Sequence, residues 1–263
     1  MKKLAAAIAA IAVLTASSVT MAGVVLVQKE QVTGTGQPQN TERTLMIQGN
    51  KEKMVSGTHQ VITDLDKGAM YILYPDRKVY VEMPFPPTGP MAKMMGKPAF
   101  HGAKFKKTGK SRTVAGFKCD EYIGSGKFES GEYTINECVS TSVPGASEFL
   151  AFEANMVKKL KGSAYDMSSE HPMPHGVPLA QDASTRLTKI AIPNLPPKEA
   201  EKLQQEIKNH PPIVSKVEVA KISVEKLPAS TFEVPAGFQK QDFGMPHGGA
   251  PHGAPAPAPA PKE

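Results

Sequence analysis

The sequence predicts a mainly β, α+β chain: a curved antiparallel sheet with one or two helices on its concave face, stapled by one disulfide. Three observations predict it. Short runs rich in β-branched and aromatic residues alternate with turn signals along the first third of the chain. An apolar stripe at helical spacing follows and needs a sheet to lie on. The chain has 2 cysteines, Cys119 and Cys138, placed on a hairpin-like stretch.

Residues 1–22, MKKLAAAIAAIAVLTASSVTMA, have the form of an export signal: Lys2 and Lys3, an apolar run from Leu4 to Leu14, then small residues with Thr20 and Ala22 at the cleavage positions. The apolar run is far shorter than the roughly 20 residues a spanning helix needs. Cleavage after Ala22 is expected, with export to the periplasm. No cysteine precedes Cys119, so no N-terminal lipid anchor is expected and the mature chain should be soluble. In an oxidising compartment Cys119 and Cys138 read as one disulfide. Closing a loop of about 20 residues contributes about 3 kcal/mol in the chain-entropy model. The formal charge is +6. Losing Lys2 and Lys3 leaves a mildly basic chain, which after export does not meet cytosolic nucleic acid.

Residues 23–243 are long enough for one domain with its own core. Residues 24–32, 43–49, 52–57, 59–65, 69–74 and 78–83 read as strands, separated by Gly49-Asn50, Asp66-Lys67-Gly68 and Pro75-Asp76. Alternation such as Leu45/Ile47 and Val79/Val81/Met83 buries one face. Residues 70–74 are apolar on both faces and read as a central strand covered on both sides. Residues 84–107 read as a long loop carrying Met91, Met94 and Met95, either a lid or an insertion tucked on the sheet edge. Lys104, Lys106, Lys107, Lys110 and Arg112 then form a basic cluster, either a solvated face or an anionic headgroup site. Residues 108–138 read as one hairpin around a Gly/Ser turn with the cysteines at its ends.

A helix is expected from an N-cap at Ser147 to about Lys161, with Phe149, Phe152, Met156 and Leu160 on one face and Gly162 beyond its end. Residues 162–182 read as irregular and residues 184–192 as a strand. A short, mostly solvated helix follows Pro196-Pro197 and stops before Pro211-Pro212. In residues 213–227 the alternation shifts from Val217/Val219 to Ile222/Val224, which places a β-bulge near Ala220-Lys221. Residues 244–263 are a Pro/Ala/His-rich tail with too little apolar content to fold alone.

Four stretches carry a family resemblance: DLDKGAMYILYPDRKVYVEMP (64–84), KTGKSRTVAGFKCDEY (107–122), HGVPLAQ (175–181) and LPASTFEVPAGFQK (227–240). Together they resemble the bacterial envelope family called domain of unknown function 4412, over most of Gln31 to Gln241. That family is similar, at a distance, to the LolA/LolB lipoprotein carriers. The resemblance implies a half-barrel that holds helices on its concave face and an acyl chain between them. Cys138 and the His/Pro-rich segments depart from the family pattern. No catalytic residue is implied.

The residues themselves point away from catalysis. There is no G-x-S-x-G, no H-E-x-x-H and no phosphate-cradling glycine loop, and of the 7 histidines only His59 stands at a strand. The expectation is a non-enzymatic binding protein without a cofactor, its groove lined by Ile47, Val61, Met70, Ile72, Val81, Phe149, Phe152, Met156 and Leu160. Its expected partners are an apolar small molecule or lipid, an envelope protein and peripheral contact with a membrane. A second expectation is a copper- or zinc-handling envelope protein using His171, Met173, His175, His247 and His252, whose imidazole and thioether ligands suit those metals. A third is a structural protein docking through its tail.

Overall fold

The computed structural model describes residues 22–89, 103–128, 130–163, 165–166, 174–189 and 196–242. Twelve strands among them form a single open, curved sheet. β1 (Gly23–Thr33), β2 (Gln39–Gln48), β3 (Lys51–Ser56), β4 (His59–Asp64), β5 (Ala69–Tyr74) and β6 (Val79–Pro84) step outward as one antiparallel meander. β7 (Lys106–Val114), β8 (Phe117–Phe128), β9 (Gly131–Ser140), β10 (Val177–Leu187) and β11 (Ile213–Glu225) step back toward β1. Helix α1 (Ala146–Leu160) lies between β9 and β10 in the chain, and α2 (Pro197–Asn209) between β10 and β11. A last short strand, β12 (Gln239–Gln241), runs parallel to β6 at the edge. Among the described residues no helix is long and apolar enough to cross a membrane.

The two meanders meet where β1 pairs antiparallel with β11, from Gly23 opposite Glu225 to Thr33 opposite Val214. Val27 faces Lys221 while Gln28 faces Val219, so Ala220 is an extra, unpaired residue. This is the bulge that the shift in alternation predicts. It bends the strand and adds twist, which curls the sheet.

Four local expectations are corrected. Residues 108–138 form parts of three strands, and the Cys119–Cys138 disulfide staples β8 to β9 with Cα atoms 5.3 Å apart. Gly124 and Gly126 stand inside β8 rather than at a turn, because the rings of Phe105 and Tyr133 lie where their side chains would be. β5 is not central: it sits between β4 and β6 near one end of the sheet. Residues 177–182 are strand, and β10 ends at Leu187 rather than reaching 192. Residues 90–102, with Met91, Met94 and Met95, lie outside the described residues.

All of the basic cluster but Lys104 falls on β7, the edge strand, whose side chains are exposed up to Val114. Lysines on an edge oppose unwanted strand pairing. Two of these cations are paired: Lys107 Nζ sits 2.7 Å from Asp120, and Arg112 reaches Glu121, Asp182 and Glu218 at 3.5–3.9 Å. Arg112 therefore links the edge strand to β8, β10 and β11 across the outer face.

The sheet is covered on both sides. On the inner face α1 packs Phe149 and Phe152 on Val24, Leu26, Ile47 and Leu179. On the outer face the segment after β11 crosses back over β4 and β5, and Phe232 in the 3-10 turn Ala229–Phe232 packs with Ile62, Leu73 and Leu227. The Gln48 amide anchors this strap through both backbone groups of one residue, accepting from the Leu227 N–H at 2.9 Å and donating to the Leu227 carbonyl at 3.2 Å. Lys240 closes it on Glu82 at 2.7 Å. Phe232→Ala should destabilise the fold by about 3–5 kcal/mol, the cost of deleting a buried phenyl ring. A urea titration checks this; a loss below about 1 kcal/mol would show that the strap is not part of the core.

Candidate functional site

Cross-strand register sorts the inner face of β1–β6 into three rows. The first reads Val24, Ile47, Glu52, Thr63, Met70, Met83. The second reads Leu26, Leu45, Met54, Val61, Ile72, Val81, and every member is apolar. The third turns polar, with Gln28, Arg43, Ser56 and His59. Period-two alternation puts each row on one face, so one slip of register would send all of it to the other side. Five of the sequence-predicted groove residues, Ile47, Val61, Met70, Ile72 and Val81, are thus neighbours in two adjacent rows.

Helix α1 closes this face from above. Its N-cap is Gly145, not Ser147, with φ 76. A Cβ at Gly145 would stand 2.7 Å from Val24, so only glycine lets the chain enter the helix this close to β1. Two hydrogen bonds then hold the helix on the β2–β3 turn, and a third ties that turn to the one between β4 and β5. The Gly49 N–H donates to Glu148, the Asn155 amide donates to Asn50 Oδ1 at 2.8 Å, and the Asn50 amide donates to Asp66 at 2.7 Å. The Leu65 N–H also donates to the Asn50 carbonyl, at 2.9 Å. Asn50 therefore joins the helix to two turns.

The predicted residues divide by exposure. Ile47, Phe149 and Phe152 are closed in the core at 0%, 6% and 1%. Val81 is also buried, whereas Val61, Met70, Ile72, Met156 and Leu160 are half-buried, as are Leu45 and Met54 beside them. An apolar wall thus continues from beneath the helix onto β3–β5 without being fully covered.

Carboxyl groups line the same face. Burial pushes Glu52 up to about 7, against the pull of the nearby Arg43 charge. Burial likewise pushes Glu153, on α1, up to about 7, and the charges of Glu137 and Glu52 push in the same direction. Glu137 on β9 is raised by burial and held back by a 2.8 Å hydrogen bond from the Gln181 amide. Arg43 donates to Gln28 at 2.7 Å and stands 3.9 Å from Glu30. Sequence reading missed these carboxyls, since glutamate on a strand or helix reads as solvated. For Glu52 the available signal was its register beside Ile47.

Of the metal-ligand candidates only His175 is described, and it is exposed. His171, Met173, His247 and His252 lie outside the described residues. Among the described residues no group of three or more His, Cys, Asp or Glu side chains is placed to hold a metal ion.

A family profile described as domain of unknown function (DUF4412) matches residues 29–171. The stretches 175–181 and 227–240 fall beyond that match. No curated protein matches the sequence. Among solved structures, PNGF-II aligns over 84% of this chain at 10% identity and a TM-score of 0.39, and the chain spans 31% of that protein's length. A LolA superfamily protein from Nitrosomonas europaea aligns over 81% of this chain and 90% of its own, at 7% identity and a TM-score of 0.29. A DUF1329 family protein from Desulfovibrio piger aligns over the same shares at 8% identity and a TM-score of 0.31. Likenesses this slight carry no functional argument.

Folded Glu52 and Glu153 hold protons more tightly than the ordinary carboxyl at 4.5. Between about 4.5 and about 7 the folded chain therefore binds more protons than the unfolded one, and their contribution to stability falls as pH rises through that window. Glu52→Gln should flatten the fall, raising stability relative to the wild type near neutral pH and not near the acid end. Urea midpoints of the two proteins across that window check it; a difference that grows toward acid would reverse the sign and refute the assignment.

Proposed function

Because the chain belongs to the DUF4412 family, whose description names no activity, we propose its function from the groove alone: a non-enzymatic binding protein of the cell envelope that holds a lipid or acyl chain on the inner face of its sheet. The observation that carries this reading is the row Leu45, Met54, Val61, Ile72, apolar at every position and only half-buried, with Met156 packed on the same core cluster as Leu45. A protein surface seldom keeps a continuous apolar strip open unless something binds there. The N-terminal sequence supports export, and mild basicity is compatible with work beside anionic membranes.

The energetics allow a reversible carrier. About 15 buried methylenes at about 0.8 kcal/mol each give about 12 kcal/mol. Association and ordering cost about 4–15 kcal/mol, leaving affinities of about micromolar or weaker.

Native mass spectrometry of the protein purified gently from its own envelope, followed by organic extraction, tests the proposal. The expected result is a stoichiometric lipid mass on the wild type that is lost in Ile72→Glu. Ile72 is the position of choice because it is half-buried, whereas a charge at the fully buried Phe152 would unfold the core. A bare wild-type mass would refute the carrier reading.

A further inference from the structure

We propose that the cleft beneath α2 is a second binding site, taking a compact, uncharged amphiphile of about 15 non-hydrogen atoms. The cleft has a volume of about 390 Å³ and lies between α2 and the far ends of β10 and β11. A cavity of about 150 Å³ accommodates benzene, which sets the scale of the occupant. The site shares no residue with the groove under α1, and it stands whether or not that groove holds a lipid.

The sequence of α2 explains why the cleft is open. The helix places Leu203 and Ile207 one turn apart toward the sheet, and Lys198, Glu199, Lys202 and Lys208 in solvent. Ile207 is 7% exposed, so the helix is seated, but its two large apolar side chains do not fill the floor made by Leu187 and Ile213. Thr185 and Ile213 are direct partners in the β10–β11 ladder, which makes that floor rigid. An apolar recess of this size is suited to an apolar body.

The rim decides the class of the occupant. Glu206 and His210, both exposed, are among the residues that line the cleft, and Glu206 is 3.9 Å from Lys202 along the helix. A carboxylate at the mouth opposes an anionic group, and the apolar floor opposes any charge inserted into it. The Glu206 carboxylate and the Thr185 hydroxyl offer acceptors to one N–H or O–H of an otherwise apolar molecule. Fatty acids and phospholipids carry the anionic group that such a rim opposes.

The chain has no tryptophan, so Gln205→Trp, on the exposed side of α2, supplies a single indole next to the cleft. The full-length variant is titrated with N-phenylnaphthylamine, an uncharged aromatic amine of the right size. Saturable energy transfer from the indole to the probe is expected. Affinity should fall about tenfold or more in Thr185→Phe, which fills the floor, and in Leu203→Glu, which charges it, and should be unchanged in Ile72→Glu. The anionic analogue anilinonaphthalene sulfonate should bind about tenfold more weakly. The proposal is overturned if no saturable transfer occurs, if Ile72→Glu abolishes it while both cleft variants retain it, or if the sulfonate binds as well as the amine.

Discussion

Everything on the inner face depends on the pairing of β1 with β11. It joins two meanders that otherwise share no strand, and its bulge decides which side chains face inward. Before the bulge, Val24 and Leu26 lie opposite Val224 and Ile222; after it, Gln28 and Glu30 lie opposite Val219 and Val217. Without the extra Ala220, Val217 and Val219 would point outward while Ile222 pointed in. The inserted residue thus carries one apolar surface across the seam and bends the sheet at the same place.

The two faces treat charge differently. On the outer face Arg112 is shared among three carboxylates and Lys240 meets Glu82, all near water, where such pairs contribute little individually and mainly set geometry. On the inner face Glu52 and Glu153 are desolvated with little compensation, which raises their proton affinity. The groove consequently gains negative charge as pH approaches neutrality, on the wall next to its apolar row. A polar end of a bound chain would meet carboxyls there rather than a cluster of cations.

How much of this was legible in the sequence follows from which interactions are local. Strand identity in β1–β6, the helix stripe, the bulge and the disulfide partners each leave a mark within a few residues: alternation, spacing, a phase slip, the count of cysteines. The lateral order of strands leaves none, and β5 reads as central because Leu73 and Met70 are both apolar, although one is covered by the strap and the other faces the groove. The N-cap of α1 was misplaced because Ser147 is the better cap by local chemistry, whereas Gly145 is selected by its approach to Val24. The groove rows were half legible: the apolar members show in the pattern, but Glu52 joins them only through register with strands on either side. The role of Asn50 was hidden for the same reason, since its turn is local and its partners Asn155 and Asp66 are not.

The seam also governs how the chain reaches this state. Gly23 meets Glu225, so β1 is made first and its partner on that side almost last. Until β11 exists, the edge of β1 opposite β2 is open, with nothing to satisfy its backbone groups except water or another chain. The strap that seals β4 and β5 arrives later still. Folding is therefore a closing event rather than a progressive one, dominated by contacts between distant parts of the chain and slow for that reason. The N-terminal meander is a half-finished surface while the rest of the chain is made, and the strap that follows β11 completes it.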